Sequence, residues 1–136
     1  MLNVTCAIII QDNKILCVQR GIGRHLAGKW EFPGGKIHEG ESPEDSVMRE
    51  VREELDLDVE VREALAPVTY SYPDKAVRLM PFLCRVTGGR LHLHEHQAFE
   101  WLRPGDLGKL DWCEADQPIL EELTAKLLTA AKSRRF

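Results

Sequence analysis

Glu50, Glu53 and Glu54 stand within about one helical turn in the stretch REVREEL, Arg49 to Leu55. Carboxylates at i,i+4 destabilise a helix by roughly 0.2–0.5 kcal/mol per pair, so the crowding calls for a compensating partner. At about 100° per residue, Glu50 and Glu54 lie about 40° apart, with Glu53 about 60° to the other side of Glu50. The acids share one arc, distinct from the apolar stripe that Val47, Val51 and Leu55 make at every fourth position. Such an arc is a donor set for a hard divalent cation, which turns the mutual repulsion into attraction. For three acids alone the simpler reading is a solvated face, with Arg49–Glu53 as an i,i+4 ion pair.

The upstream residues favour the metal. GGKIHEGESPEDSVMREVREELDL places Gly35, five residues, Glu41, seven residues, Arg49-Glu50, aliphatic Val51, one residue, then Glu53-Glu54. This pattern resembles the signature of the Nudix hydrolases. Its fixed residues at these spacings arise by chance in roughly one chain of this length in 10⁵. One departure is present: Asp56 stands where the family carries glycine, before aliphatic Leu57. A left-handed residue often ends a helix at that point, and Asp adopts that conformation more readily than most residues. The departure therefore predicts a small stability cost and intact chemistry.

The elements that must position these residues can be read from local pattern. Ser42 as N-cap, Pro43 at the first helical position, and Glu44 and Asp45 in the first turn predict a helix from Ser42 to Leu55. NVTCAIII and KILCVQR, separated by QDN, predict a hairpin. GIGRHLAGK follows as a glycine-rich loop, and WEF as a short strand stopped by PGG. DVEVREALAPVTYSY and AVRLMPFLCRV predict two long strands joined at PDK. TGGR then turns into LHLHEHQ, and FEWL is a further short strand. A last helix is expected from about Asp116 to Lys132, with Ile119, Leu120, Leu123 and Leu127 on one face. Strands mixed with two separated helices predict an α/β fold, an α/β/α sandwich around a mixed β-sheet, in one domain over residues 1–136.

Composition narrows the partners. A net charge of −4 with no basic run argues against a nucleic acid polymer. A small anionic ligand fits if metal ions supply positive charge. Cys6, Cys17, Cys84 and Cys113 form no C-x-x-C pair, and the first three sit in strand-like runs as small core residues. MLNVTCAIII has neither the basic region nor the cleavage site of a signal peptide, and no apolar run is long enough to span a bilayer. The expectation is a reduced, cytoplasmic protein with no membrane partner. Its oligomeric state, monomer or dimer, is left undetermined.

The resemblance extends beyond the box. AIII, KIL and QR, then WEFPGGKI, YSYPD, HEHQ, EW and ADQPIL are similar to the MutT branch, and within it to bacterial CTP pyrophosphohydrolases. It implies a Nudix fold and Mg²⁺-dependent hydrolysis of a nucleoside triphosphate to monophosphate and pyrophosphate, with Mn²⁺ as an alternative metal. By position, it makes Glu50, Glu53 and Glu54 metal ligands or orienters of the attacking water, with the Gly35 carbonyl nearby. Arg49 then holds the glutamates by ion pairs and Glu41 braces the loop. An additional acid is implied at Glu95, in preference to Glu100 beside Trp101. Arg20 is implied as a phosphate contact, or else an exposed strand end. Phe32, Tyr72 and Asp116 match positions enclosing the base, although core packing accounts for the two aromatics as well. Asp116 also fits a cap on the last helix. His92, His94 and His96 alternate and on a strand would face one way. No fourth ligand is placed by spacing, so a polar loop beside phosphate is preferred to zinc.

The substrate implied is a damaged or modified nucleotide such as 8-oxo-dGTP, with CTP, dCTP or a 5-modified cytidine triphosphate as the alternative. ADP-ribose is a weaker one: Pro73 has the spacing, but in a YPD turn that MutT-like chains share. A non-catalytic nucleotide sensor is disfavoured, because every box glutamate is kept.

Overall fold

The computed structural model describes the backbone of residues 1–134 and the side chains of residues 1–127. The last two residues of the expected domain thus lie outside the described residues. The chain begins with β1 (Leu2–Gln11) and β2 (Lys14–Arg20), an antiparallel hairpin. Asp12 and Asn13 take φ of 53° and 64° in its two-residue turn, the left-handed pair that matches the twist of the strands.

β3 (Trp30–Glu31) and β4 (Gly34–Lys36) follow, then α1 (Pro43–Leu55), β5 (Leu57–Ala64), β6 (Val68–Tyr72), β7 (Lys75–Gly89), β8 (His96–Leu102) and α2 (Gln117–Arg134). The sheet runs β3-β2-β1-β7-β5, with β4 on β1, β6 on β7 and β8 on β2. β1 and β7 are parallel from Leu2–Val77 to Ile10–Arg85, and the other ladders are antiparallel. The sheet is mixed, as expected.

Alternation explains why β1 is apolar throughout. Cys6 and Ile8 join Ile15, Cys17, Ile119 and Leu123 in a core beneath α2. Ala7 and Ile9 point the other way and join Leu16, Val18, Val47, Val51 and Leu55 beneath α1. Both faces of the central strands are therefore covered, giving the α/β/α sandwich. Each fully buried Val, Leu or Ile contributes roughly 1.5–3 kcal/mol. All four cysteines are buried and unpaired by disulfides.

The structure corrects four local expectations. The single strand over DVEVREALAPVTYSY is two, because Pro67 lacks an N–H and Leu65 turns its own N–H onto the Pro81 carbonyl at 2.9 Å. The PGG stop contains β4, which pairs Cys6, Thr5 and Val4 with Gly34, Gly35 and Lys36. LHLHEHQ is irregular up to Glu95, and β8 starts at His96. Two 3-10 turns, Pro104–Lys109 and Glu114–Asp116, were not anticipated.

Candidate active site

α1 is the platform of the site, and its ends form as its residues require. Ser42 Oγ accepts from the Asp45 N–H at 3.1 Å, and Pro43 occupies the first turn. Asp56 closes the helix with φ 57° and ψ 24°, its N–H donating to the Arg52 carbonyl. The aspartate in place of glycine thus adopts the left-handed conformation itself.

β4 lays its glycines against this helix. A Cβ on Gly34 would stand 2.0 Å from the Thr5 carbonyl oxygen, a backbone atom that cannot yield. On Gly35 it would stand 2.5 Å from the Glu50 carboxyl carbon. Glycine lets the strand backbone reach the carboxylate, a close approach no other residue permits.

Arg49 organises the box. Its Nε donates to Glu41 Oε2 at 2.7 Å, and its Nη1 to Glu50 Oε1 at 3.0 Å and Glu53 Oε2 at 3.1 Å. Its Nη2 reaches Glu41 Oε1 and the Lys36 carbonyl. Glu41 also accepts from the His38 N–H at 3.0 Å, tying the connecting loop to the helix. Hydrogen bonds from Arg49, then His38, pull the Glu41 pKa down to about 2. Arg49 and Glu41 thus have the contacts expected of a holder and a brace.

A cavity of about 410 Å³ opens beside this helix. Its lining includes Gly35, Glu50, Glu54 and Glu95 together with Phe32, Tyr72, Asp116, Arg20 and Glu31. Glu53 lies outside the lining and is half-exposed. Glu100 sits exposed on β8 opposite Cys17, away from the cavity. Of the two acids considered for the additional role, the structure brings Glu95 to the box.

Glu54 is 2% exposed, and its Oε2 has no hydrogen-bond partner among the described residues. Burial, then the charges of Glu31, Glu95 and Glu50, raise its pKa well above the carboxylate range, opposed by the Gly34 backbone. Burial likewise raises Glu50, with Glu53 and Glu95 adding and Arg49 opposing. An orphaned buried carboxylate oxygen among like charges is the environment that a cation relieves. An all-oxygen set of carboxylates and a carbonyl fits a hard divalent ion. Among the described residues no three metal-binding side chains converge on one point. Glu50 and Glu53 lean onto Arg49 and Glu95 onto Arg24, so ligation requires them to turn.

Glu31 was not singled out by the sequence reading, although a lone acid between Trp30 and Phe32 was the available signal. Arg20 Nη1 donates to its Oε1 at 2.9 Å, and His96 Nε2 lies 2.9 Å from its Oε2. Burial favours the neutral acid, but His96 and Arg20 outweigh it and hold the Glu31 pKa below its usual value. His96 also stands 3.9 Å from Glu54 Oε1, between two carboxylates of the cavity lining, Glu31 and Glu54. The alternating histidines do not share a face: His96 is buried here, whereas His92 and His94 are exposed, with His94 paired to Asp56 at 2.9 Å. No zinc set forms among the described residues.

Of the lining aromatics, Phe32 is 3% exposed and packs on Trp112 with ring centroids 4.7 Å apart, while Tyr72 keeps free surface. Asp116 is 6% exposed, and its Oδ2 accepts from the Phe32 N–H at 3.0 Å, beside the Trp30–Trp112 bridge at the β3 edge rather than along α2. Burial, then the charge of Glu31, push its pKa to about 8, against the Phe32 N–H and Arg20. At neutral pH burial therefore favours the protonated acid, which donates as well as accepts.

Residues 1–123 match the family model described as NUDIX domain. The chain is 37% identical over 125 residues to a CTP pyrophosphohydrolase of Escherichia coli, spanning 92% of this chain and 93% of the relative. It is 33% identical over 113 residues to an 8-oxo-dGTP diphosphatase of the same organism, spanning 83% and 88%. The solution structure of the E. coli ORF135 protein superposes with a TM-score of 0.80 at 37% identity, over 92% of this chain and 89% of that one. Box, sheet and relatives agree, and the chain belongs to the NUDIX domain family.

Proposed function

We propose that the protein is a nucleoside triphosphate pyrophosphohydrolase, converting NTP and water to NMP and pyrophosphate, with an oxidised or modified nucleotide such as 8-oxo-dGTP as substrate. The observation that carries this reading is buried Glu54, whose Oε2 has no partner among the described residues, in a cavity lined also by Glu50, Gly35, Glu95 and the polar Asp116. Nudix hydrolases generally use a divalent metal. We assign Mg²⁺, or Mn²⁺ in its stead, to Glu50, Glu53, Glu54, Glu95 and the Gly35 carbonyl. Such an ion neutralises phosphate oxygens and acidifies the attacking water.

The chain's own residues do the rest. Arg49 holds Glu50 and Glu53 in one arc, and Glu41 holds Arg49. Glu95 completes the ligand set or takes a proton from water. Tyr72 and Phe32 wall the base and Asp116 presents a polar edge to it. Arg20 is engaged by Glu31 and the His25 carbonyl, so its part is to fix that wall before it touches phosphate.

Hydrolysis of CTP or a related cytidine triphosphate is the second reading, favoured by the 37% identical relative of that name. Pyrophosphate release from a nucleotide panel separates the two. Water is expected to attack the β-phosphorus, so turnover in ¹⁸O-water should label the pyrophosphate. Label in the monophosphate would place attack on the α-phosphorus and overturn this part of the proposal.

A further inference from the structure

The cavity is lined by two guanidinium groups that differ in what they are free to do. Arg20 donates from Nε to the His25 carbonyl at 2.6 Å and from Nη1 to Glu31 at 2.9 Å. The Arg24 side chain is 42% exposed and among the described residues reaches only Glu95, with Nη1 at 3.4 Å from Oε2 and 3.5 Å from the carbonyl oxygen. Those distances are at the outer limit of hydrogen bonding, and an exposed pair of this kind is weak.

We propose that Arg24 exchanges partners during the reaction, holding Glu95 in the free protein and moving to the outer phosphates of a bound triphosphate, which releases Glu95 to the divalent cation. The proposal rests on the pyrophosphohydrolase reading and makes Arg24 a specificity-determining residue for a phosphate chain.

The loop that carries Arg24 suits this role. Its base is clamped, with the Arg20 N–H on the Lys29 carbonyl at 2.9 Å and the Gly28 N–H on the Arg20 carbonyl at 3.0 Å. Its body takes left-handed φ at Gly23, Leu26 and Gly28, and Leu26 lines the cavity although it is neither glycine nor asparagine. Backbone held in that conformation at a non-glycine residue concentrates where a loop has work to do. Gly21 brings the loop against the segment to be released: a Cβ there would meet the Glu95 carbonyl oxygen at 3.4 Å. Charge points the same way. The lining holds Glu31, Glu50 and Glu95 beside Arg20, Lys36 and Lys75, and of its two guanidinium groups only Arg24 is held loosely enough to turn to an entering polyanion. Arg24 is long, always charged and forked for phosphate oxygens.

The test uses Arg24→Ala, Arg24→Lys and Glu95→Gln in the full chain. Without nucleotide, Mn²⁺ titrated by electron paramagnetic resonance should bind Arg24→Ala several-fold tighter than the parent, since a competing cation is gone. In the Glu95→Gln background, Arg24→Ala should bring no such gain. Inorganic tripolyphosphate with Mg²⁺, measured by calorimetry, should bind Arg24→Ala about tenfold more weakly, with Arg24→Lys between, as expected for loss of one charge-assisted contact. With nucleotide, KM should rise more than kcat falls. Unchanged or weaker Mn²⁺ binding in Arg24→Ala, or unchanged tripolyphosphate binding, overturns the exchange. The metal and tripolyphosphate measurements need no turnover, so an inactive parent would refute the pyrophosphohydrolase reading while leaving them decisive.

Discussion

Glu54→Gln is expected to lower kcat by about 10²–10⁴-fold at saturating Mg²⁺ while making the metal-free protein more stable. Both signs follow from one observation. Glu54 is buried against Glu31, Glu50 and Glu95, and its charged form is disfavoured in the fold. Its folded pKa lies above its unfolded one, so its contribution to stability is full below the unfolded value and is lost as pH rises through the folded value. Glutamine removes that loss, and the stability gain should grow as pH rises above the ordinary glutamate range in urea melts without metal. Glu53→Gln should cost turnover as well, but with little change in stability, because Glu53 is half-exposed. Near-normal turnover in folded variants would sink the metal-helix reading. A drop in metal-free stability for Glu54→Gln would show instead that Glu54 holds the fold.

Asp116 gives the second large effect. Its pKa near 8, against an ordinary value of 3.8, means that folding takes up a proton between those limits. Stability from this group is present below about pH 4 and lost as pH rises through about 8, at up to roughly 1.4 kcal/mol per pH unit. Asp116→Asn keeps an oxygen for the Phe32 N–H and should flatten that decline; parallel stability curves would refute the assignment.

The same proton bears on the base. An ionised carboxylate accepts from the N7–H of 8-oxoguanine and repels the bare N7 of guanine, whereas the neutral acid donates to that bare N7. The kcat/KM ratio of 8-oxo-dGTP to dGTP should therefore rise across pH 7–9. Asp116→Ala should lower kcat/KM for the preferred nucleotide at least tenfold, with much less effect on poor substrates. A uniform loss across nucleotides with a lower Tm would make Asp116 purely structural.

By itself the sequence determined whatever depends on neighbours along the chain. Capping at Ser42, the Val47–Val51–Leu55 stripe and the left-handed stop at Asp56 are set by interactions within a turn or two, and all are present. The box is legible for the same reason, since its arc lies on one helix and Arg49 reaches Glu50 and Glu53 within it. Only the tertiary structure decided what depends on partners distant in the chain. β4 has no strand propensity of its own and exists because β1 offers it a ladder. Leu65 leaves the strand because its N–H is taken by Pro81. Glu31 reads as an ordinary polar residue until His96, 65 positions away, closes over it. Asp116 reads as a cap until the Phe32 N–H, 84 positions away, claims its carboxyl. Protonation follows the same division, because desolvation is a property of the surrounding shell: the spacing of three glutamates predicts repulsion, but only packing buries Glu54 and leaves its Oε2 without a partner among the described residues.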